Sequence, residues 1–203
     1  MSLKKHYINL FQKNGANHNA VQYSSAESQY KRFEILCELI RPTDKVLDLG
    51  CGLGDMLTFL RHKKEFKGTY LGLDFVPDFI HHAQTAFQDD LNSSFSLFDI
   101  QQDPLPENYD VILLSGVFNN EMEDNWDFIT NSLIKMHAAS NRVVTFNALS
   151  TYVDYQDKGL YYTDPLKLFH FCKNELSAFI TLRHDYLVKE NSIPFEFTMH
   201  LNK

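Results

Sequence analysis

Two rhythms alternate along this chain. Apolar runs of strand length fall at 45–49, 69–74, 95–98, 109–115, 142–147, 178–185 and 195–201. Several are nearly continuous, which predicts strands buried on both faces, and the run 111–114 predicts a central one. Between them, apolar residues recur at helical spacing. Val76, Phe79, Ile80, Ala83 and Phe87 share a face, with Pro77 suited to a first turn. Trp126, Ile129, Leu133 and Met136 do the same behind Asp124, a predicted N-cap. Asp164-Pro165 opens a further helix carrying Leu168, Phe169 and Cys172. Strands alternating with helices predict a mostly parallel sheet covered on both faces. The polar connection 189–194 predicts that the last two strands form a hairpin.

Ahead of this core, Ser24-Ser25-Ala26-Glu27 has the form of a capping box. Tyr30, Phe33, Leu36, Cys37 and Ile40 follow as an amphipathic stripe that Pro42 is expected to end. Residues 1–23 show no clear period and are expected to form a partly ordered cap. The resulting division is one domain over 1–203. Residues 1–40 are an N-terminal cap and helix, 41–150 a ligand-binding core, and 151–203 a lid segment, helix and closing hairpin.

Composition narrows the class. The 203 residues are 44% hydrophobic and 14% aromatic, as in a globular domain with a sizeable core. A net charge of -7, with no long basic run, argues against a nucleic-acid partner. The three cysteines, Cys37, Cys51 and Cys172, are far apart and odd in number, which points to a reducing compartment. They show no metal-ligand spacing, and the adjacent pair His81-His82 faces different ways on a helix, so no metal is expected. No apolar stretch approaches membrane-spanning or signal length, and a cytoplasmic location is expected.

The densest chemistry lies at 46–55, Val-Leu-Asp-Leu-Gly-Cys-Gly-Leu-Gly-Asp. A strand ends at Asp48, and Gly50, Gly52 and Gly54 then let the chain turn sharply while a ligand lies against bare backbone. A second strand ends at Asp74, 20 residues after Gly54, where a carboxylate can accept bonds from two ribose hydroxyls. Phe75 beside it offers a wall for an adenine ring.

These residues resemble motif I and the following acidic position of the class I S-adenosylmethionine-dependent methyltransferases. The nicotinamide fingerprint G-x-G-x-x-G/A is the nearest alternative, but Asp55 occupies its sixth position, where a small residue is required. The resemblance covers roughly residues 40–147. It implies a Rossmann-like three-layer α/β sandwich, with a seven-stranded, mostly parallel sheet, one antiparallel strand and an N-terminal helical cap. Cofactor contacts are implied at Asp48, Gly50, Cys51, Gly52, Gly54, Asp74 and Phe75. Asp99 and Ile100 are implied at the adenine, and Ser115 and Gly116 beside the methionine part.

Two flanking segments extend the site. In 22–32, Tyr23, Gln29 and Arg32 can reach over the cofactor, with Arg32 the natural partner of its carboxylate. In 147–165, Asn147, Tyr152 and Tyr155 are candidate acceptor contacts, alongside Asn119 after the fourth strand. His170 is the histidine expected to serve if a general base is used. The Asn/Asp-Pro-Pro-aromatic pattern of many amino methyltransferases is replaced by Ser115-Gly116-Val117-Phe118, which favours a small-molecule acceptor over nucleic acid. The chain is also similar to a group of small bacterial and archaeal class I methyltransferases whose acceptor is unassigned. A non-catalytic module binding S-adenosylmethionine or S-adenosylhomocysteine is the second reading, and a nicotinamide-dependent oxidoreductase the third.

Overall fold

A computed structural model describes residues 3–203. In chain order it contains α1 (Leu3–Asn14), α2 (Ala26–Leu36), β1 (Lys45–Leu49), α3 (Asp55–Lys63), β2 (Thr69–Asp74), α4 (Pro77–Ala86) and β3 (Ser93–Leu97). It continues with β4 (Tyr109–Leu114), α5 (Asn125–Ala139), β5 (Ser140–Leu149), α6 (Pro165–Glu175), β6 (Phe179–Arg183) and β7 (Glu196–Asn202). The seven strands form one sheet in the order β3-β2-β1-β4-β5-β7-β6. Only β7 runs against its neighbours, pairing antiparallel with both β5 and β6. The expected architecture, including the closing hairpin and the single reversed strand, is borne out.

The continuous apolar strands feed both faces because successive side chains point to opposite sides. Ile112 and Leu114 join Leu47, Leu49, Val144 and Phe146 in a core beneath α5 and α6. Val111 and Leu113 join Val46 and Val143 in the opposite core, beneath α2 and α3. Strand β4 is therefore wholly buried at its centre, as its sequence predicts. Asp124 caps α5 by accepting from the Asp127 amide, and Asp164 caps α6 through the Leu166 and Lys167 amides.

The N-terminal region departs from expectation in three ways. Residues 3–14 form a regular helix, with Tyr7, Ile8 and Phe11 packed against a cluster containing Val76 and Phe79. The capping box of α2 lies one residue later than read: Ser25 is the N-cap and Ser28, not Glu27, returns the bond to its backbone. Either hydroxyl fits the pattern, and Ser28 reaches both the Ser25 amide and its carbonyl. Finally, α2 ends at Leu36 with its cap at Cys37, well before Pro42. The Pro42 carbonyl instead receives the Lys67 and Gly68 amides, fastening the turn before β2.

Candidate active site

Strand order reverses between β1 and β4, and at their carboxyl ends a cleft of about 800 Å3 opens. The turn leaving β1 forms its floor. Gly50, Gly52 and Gly54 all have positive φ, at 79°, 54° and 87°. A Cβ on Gly50 would lie 2.3 Å from Val117 Cγ2, and one on Gly52 would lie 2.9 Å from Val21 Cγ1. Glycine is thus demanded twice over, by conformation and by the chain pressed against it. Cys51 shows the cleft its backbone rather than its thiol, because Sγ is buried in the core behind β2 near Gly72. Burial drives that thiol's pKa well above the ordinary range.

Asp74 locks this turn to the end of β2. Its Oδ2 accepts from the Gly52 amide at 2.9 Å and its Oδ1 from the Val76 amide at 2.9 Å. Burial pushes its carboxyl up to about 6, against the lowering effect of the backbone amides. Asp48 is 2% exposed and accepts from the Tyr70 hydroxyl. Burial pushes it up to about 7; the Tyr70 bond opposes this, while Asp74 and Asp55 add to it. Two acids reluctant to ionise, set beside a bare glycine turn, suit a ligand that brings positive charge and hydroxyls.

Most of the other expected residues converge here. Phe75 lines the cleft and meets the edge of Tyr7, with ring centroids 6.1 Å apart. Asp99 and Ile100 line the end beyond β3, although the Asp99 carboxylate already accepts from the Gln101 amide and the Gln102 side chain. Ser115 and Tyr23 share a hydroxyl–hydroxyl bond of 2.8 Å, and burial raises the Tyr23 phenol to about 12. Gly116, at φ 75°, passes below Tyr23. Gln29 donates to Asp55, Asn119 accepts from the Leu149 amide, and Tyr155, 74% exposed, stands on the cleft wall. Arg32 also lines the cleft, its Nε donating to Glu196 at 2.8 Å and its guanidinium 5.1 Å from the Tyr23 ring centroid.

Four candidates do not line the cleft. Gly54 turns toward Phe87 and Phe95 in the core, a Cβ there lying 2.6 Å from the Phe87 ring, so it shapes the turn without facing the ligand. Asn147 is fully buried beneath Gly116, whose amide it accepts at 2.8 Å, so it supports the site from below. Tyr152 leans toward His184 outside the cleft. His170 is exposed on α6 and paired with the Asn174 amide, far from its expected use as a base. Among the described residues no histidine lines the cleft, and no group of three potential ligands is placed to hold a metal.

Other residues escaped the sequence reading. Leu3, Lys4 and Tyr7 make α1 a roof over the cleft, and Tyr7 accepts from the Asn120 side chain at 2.9 Å. Tyr7 and Phe11, one helical turn apart, are the faint trace of that helix in the sequence. Segment 150–163 closes the far wall, anchored by bonds from Tyr161 to Asn119 and from Glu121 to Gly159. Glu196 is the other omission. A single acid within an apolar strand signals a buried cation, but not which one.

The fold and cleft define the class: a Rossmann-like α/β protein with its ligand site at the switch point of the sheet. A sequence model of the methyltransferase domain matches residues 40–148, over half the chain, so the protein belongs to this family. That bears out the resemblance to class I S-adenosylmethionine-dependent methyltransferases. The Mycobacterium tuberculosis protein Rv1506c, whose name proposes a methyltransferase, is 33% identical over 162 residues, covering 77% of this chain and 91% of its own. Two solved structures share the fold at low identity. One is the magnesium protoporphyrin IX methyltransferase of Synechocystis with bound S-adenosylhomocysteine (TM-score 0.64, 12% identity, 98% of this chain and 93% of that one). The other is the DhpI–S-adenosylhomocysteine complex (TM-score 0.68, 15% identity, 97% and 93%).

Proposed function

We propose that the cleft binds S-adenosylmethionine and that the protein transfers its methyl group to a small-molecule acceptor. The observation that carries this is the three-glycine turn tied through the Gly52 amide to Asp74. It leaves backbone bare on one side and a carboxylate on the other. Asp74 keeps lone pairs for ribose hydroxyls, while Phe75 and Ile100 offer apolar walls and Asp99 an acceptor for an adenine amino group. Asp48 and Arg32 supply opposite charges for an ammonium and a carboxylate, with Ser115 and Gly116 between them. When bound, the cofactor supplies an electrophilic methyl on a positively charged sulfur.

The chain's own contribution is then to orient, to shape the field and to exclude water. Helix α1 roofs the cleft, and Tyr7 seals it against Asn120. Over the ends of β4, β5 and β7, Met122, Leu149, Val153, Leu160 and Phe195 form an apolar compartment edged by Tyr155 and Tyr162. That lining suits a compact acceptor with an apolar body. Burial raises the hydroxyls of Tyr7 and Tyr23, so both stay protonated at neutral pH and do not serve as bases. The acidic balance disfavours a polyanionic acceptor. No described helix is long and apolar enough to cross a membrane, and the free, buried cysteines suit the cytoplasm we assign to it.

Isothermal titration with S-adenosylmethionine, S-adenosylhomocysteine and NAD, followed by incubation with methyl-labelled cofactor and cell extract, tests this reading. Binding of the two adenosyl ligands but not NAD, with label passing to a small product, is the expected result. Binding of NAD alone overturns it, and cofactor binding with no labelled product favours a binding module.

A further inference from the structure

Glu196, the first residue of β7, does not line the cleft, yet it touches both of the walls that frame one end of it. It is 1% exposed. Its Oε2 accepts from Arg32 Nε at 2.8 Å, on the α2 wall, and its Oε1 accepts from Asn147 Nδ2 at 3.1 Å, in β5. Asn147 in turn accepts the Gly116 amide on its Oδ1 at 2.8 Å, beneath the turn that leaves β4. The Tyr186 hydroxyl adds a long contact at 3.5 Å, its closer partner being Thr198 at 2.8 Å.

The donor–acceptor inventory gives this chain of bonds a direction. A carboxylate only accepts. Asn147 must therefore turn its NH2 toward Glu196, which leaves its carbonyl oxygen for Gly116. The same carboxylate fixes the Arg32 guanidinium, whose Nη1 is held by the Ser28 carbonyl at 2.9 Å and whose plane lies over Tyr23. Tyr23 passes the order on to Ser115 through their hydroxyl bond.

We infer that Glu196 is a positioning residue: one buried carboxylate that holds Arg32 and, by setting the orientation of the Asn147 amide, the Gly116 turn, in register for the amino-acid end of the cofactor. This rests on the reading of the cleft given above, in which that end lies between Arg32 and Gly116. The residue acts without touching ligand. The substitution E196Q leaves one oxygen and one NH2 in place of two acceptors. Whichever way that amide turns, it meets either Arg32 or Asn147 donor to donor. Reversing the polarity of the partner as well removes the conflict. In the double variant E196Q/N147D, the new amide accepts from Arg32 and donates to the new carboxylate, which still accepts from Gly116.

The test is isothermal titration of wild type, E196Q, N147D and the double variant with two ligands. S-adenosylhomocysteine carries the amino-acid end, and 5′-methylthioadenosine lacks it. Each single variant is expected to bind S-adenosylhomocysteine at least about tenfold more weakly while 5′-methylthioadenosine changes by less than about twofold. The double variant is expected to return to within about threefold of wild type. Equal weakening of both ligands means a merely structural acid and overturns the inference. So does unchanged affinity in E196Q, or a double variant no better than the singles. Should E196Q fail to fold, the double variant decides alone: restored folding and affinity support the inference, and failure of either overturns it. Wild-type protein that binds neither ligand overturns the assignment of the cleft itself, whereas wild-type binding with an unresponsive E196Q overturns only the positioning.

Discussion

The cleft has two halves that are built by different means. Over β1 and β2 it consists of strand ends and a glycine turn, with Asp48 and Asp74 2% and 6% exposed and bonded to Tyr70 and to backbone amides. Over β5 and β7 it consists largely of loop 150–163 and its tyrosines, among which Tyr155 is 74% exposed. Backbone conformation determines the first half, so few residue types are admissible there. Side chains standing on a loop determine the second, where many types would serve. In the function proposed above, the first half is the berth for a cofactor of fixed shape and the second, on its loop, is the adjustable acceptor side. Helix α1 joins them, since Tyr7 packs on Phe75 and Phe79 at one end and bonds Asn120 at the other.

The sharpest way to break the contrast is to put a methyl group into the rigid half. Gly50→Ala places a Cβ 2.3 Å from Val117 Cγ2 at φ 79°. The conformational strain alone costs about 1–3 kcal/mol, and the clash displaces the turn against the 117–119 segment. Affinity for S-adenosylhomocysteine should fall by more than about a hundredfold, equivalent to roughly 2.7 kcal/mol, in a titration of protein whose circular dichroism is unchanged. An alanine variant that bound normally would show that the turn does not form the berth.

A middle-sized effect separates the halves by titration. Asp48 and Asp74 hold protons up to about 7 and about 6, mainly because burial penalises their charge. The unfolded chain releases those protons near pH 4. These two acids should therefore make ligand-free stability decline as pH rises from about 4 through 7, against a smaller opposing gain up to about 6.5 from His200, which burial lowers to about 4, a balance measurable as Tm. A ligand carrying positive charge favours the ionised acids, so S-adenosylmethionine should bind roughly tenfold or more tightly at pH 8 than at pH 5.5. S-adenosylhomocysteine, with a neutral sulfur, should gain less. Equal gains for the two ligands would remove the sulfonium from the neighbourhood of these acids.

The same contrast explains what could be read from sequence. Gly50, Gly52, Gly54 and Asp74 were legible because a positive φ and a strand-end carboxylate leave their mark in residue type. The central strands were legible because burial on both faces favours near-continuous apolar runs, clearest at 111–114. Helix α1 was not, since none of its residues is fully buried and its apolar face is thin; its order comes from packing on α4. The Arg32–Glu196 pair joins positions 164 apart, beyond any local pattern. Asn147 and His170 were placed by residue type and by position along the chain, and neither reveals whether a side chain points below a turn, as Asn147 does, or out to solvent, as His170 does. On the acceptor side the tyrosines announced a cavity wall without saying which of them face it: Tyr155 does and Tyr152 does not.

The smallest change worth making tests the joint between the halves. Tyr7→Phe removes the acceptor of the Asn120 side-chain bond but leaves the ring against Phe75 and Phe79. The expected loss is about 0.5–1.5 kcal/mol, the worth of one partly buried hydrogen bond. Because the rings still hold α1 to the cofactor half, S-adenosylhomocysteine affinity should change by less than about threefold. The roof should loosen only where it meets the acceptor half. Hydrogen exchange should then quicken in α1 and at 119–121 while the amides of β1, β2 and β4 stay as protected as before. Uniform quickening across the sheet would mean that α1 belongs to the core rather than to a cover shared between two compartments. No change in α1 would mean that the aromatic contacts alone hold it.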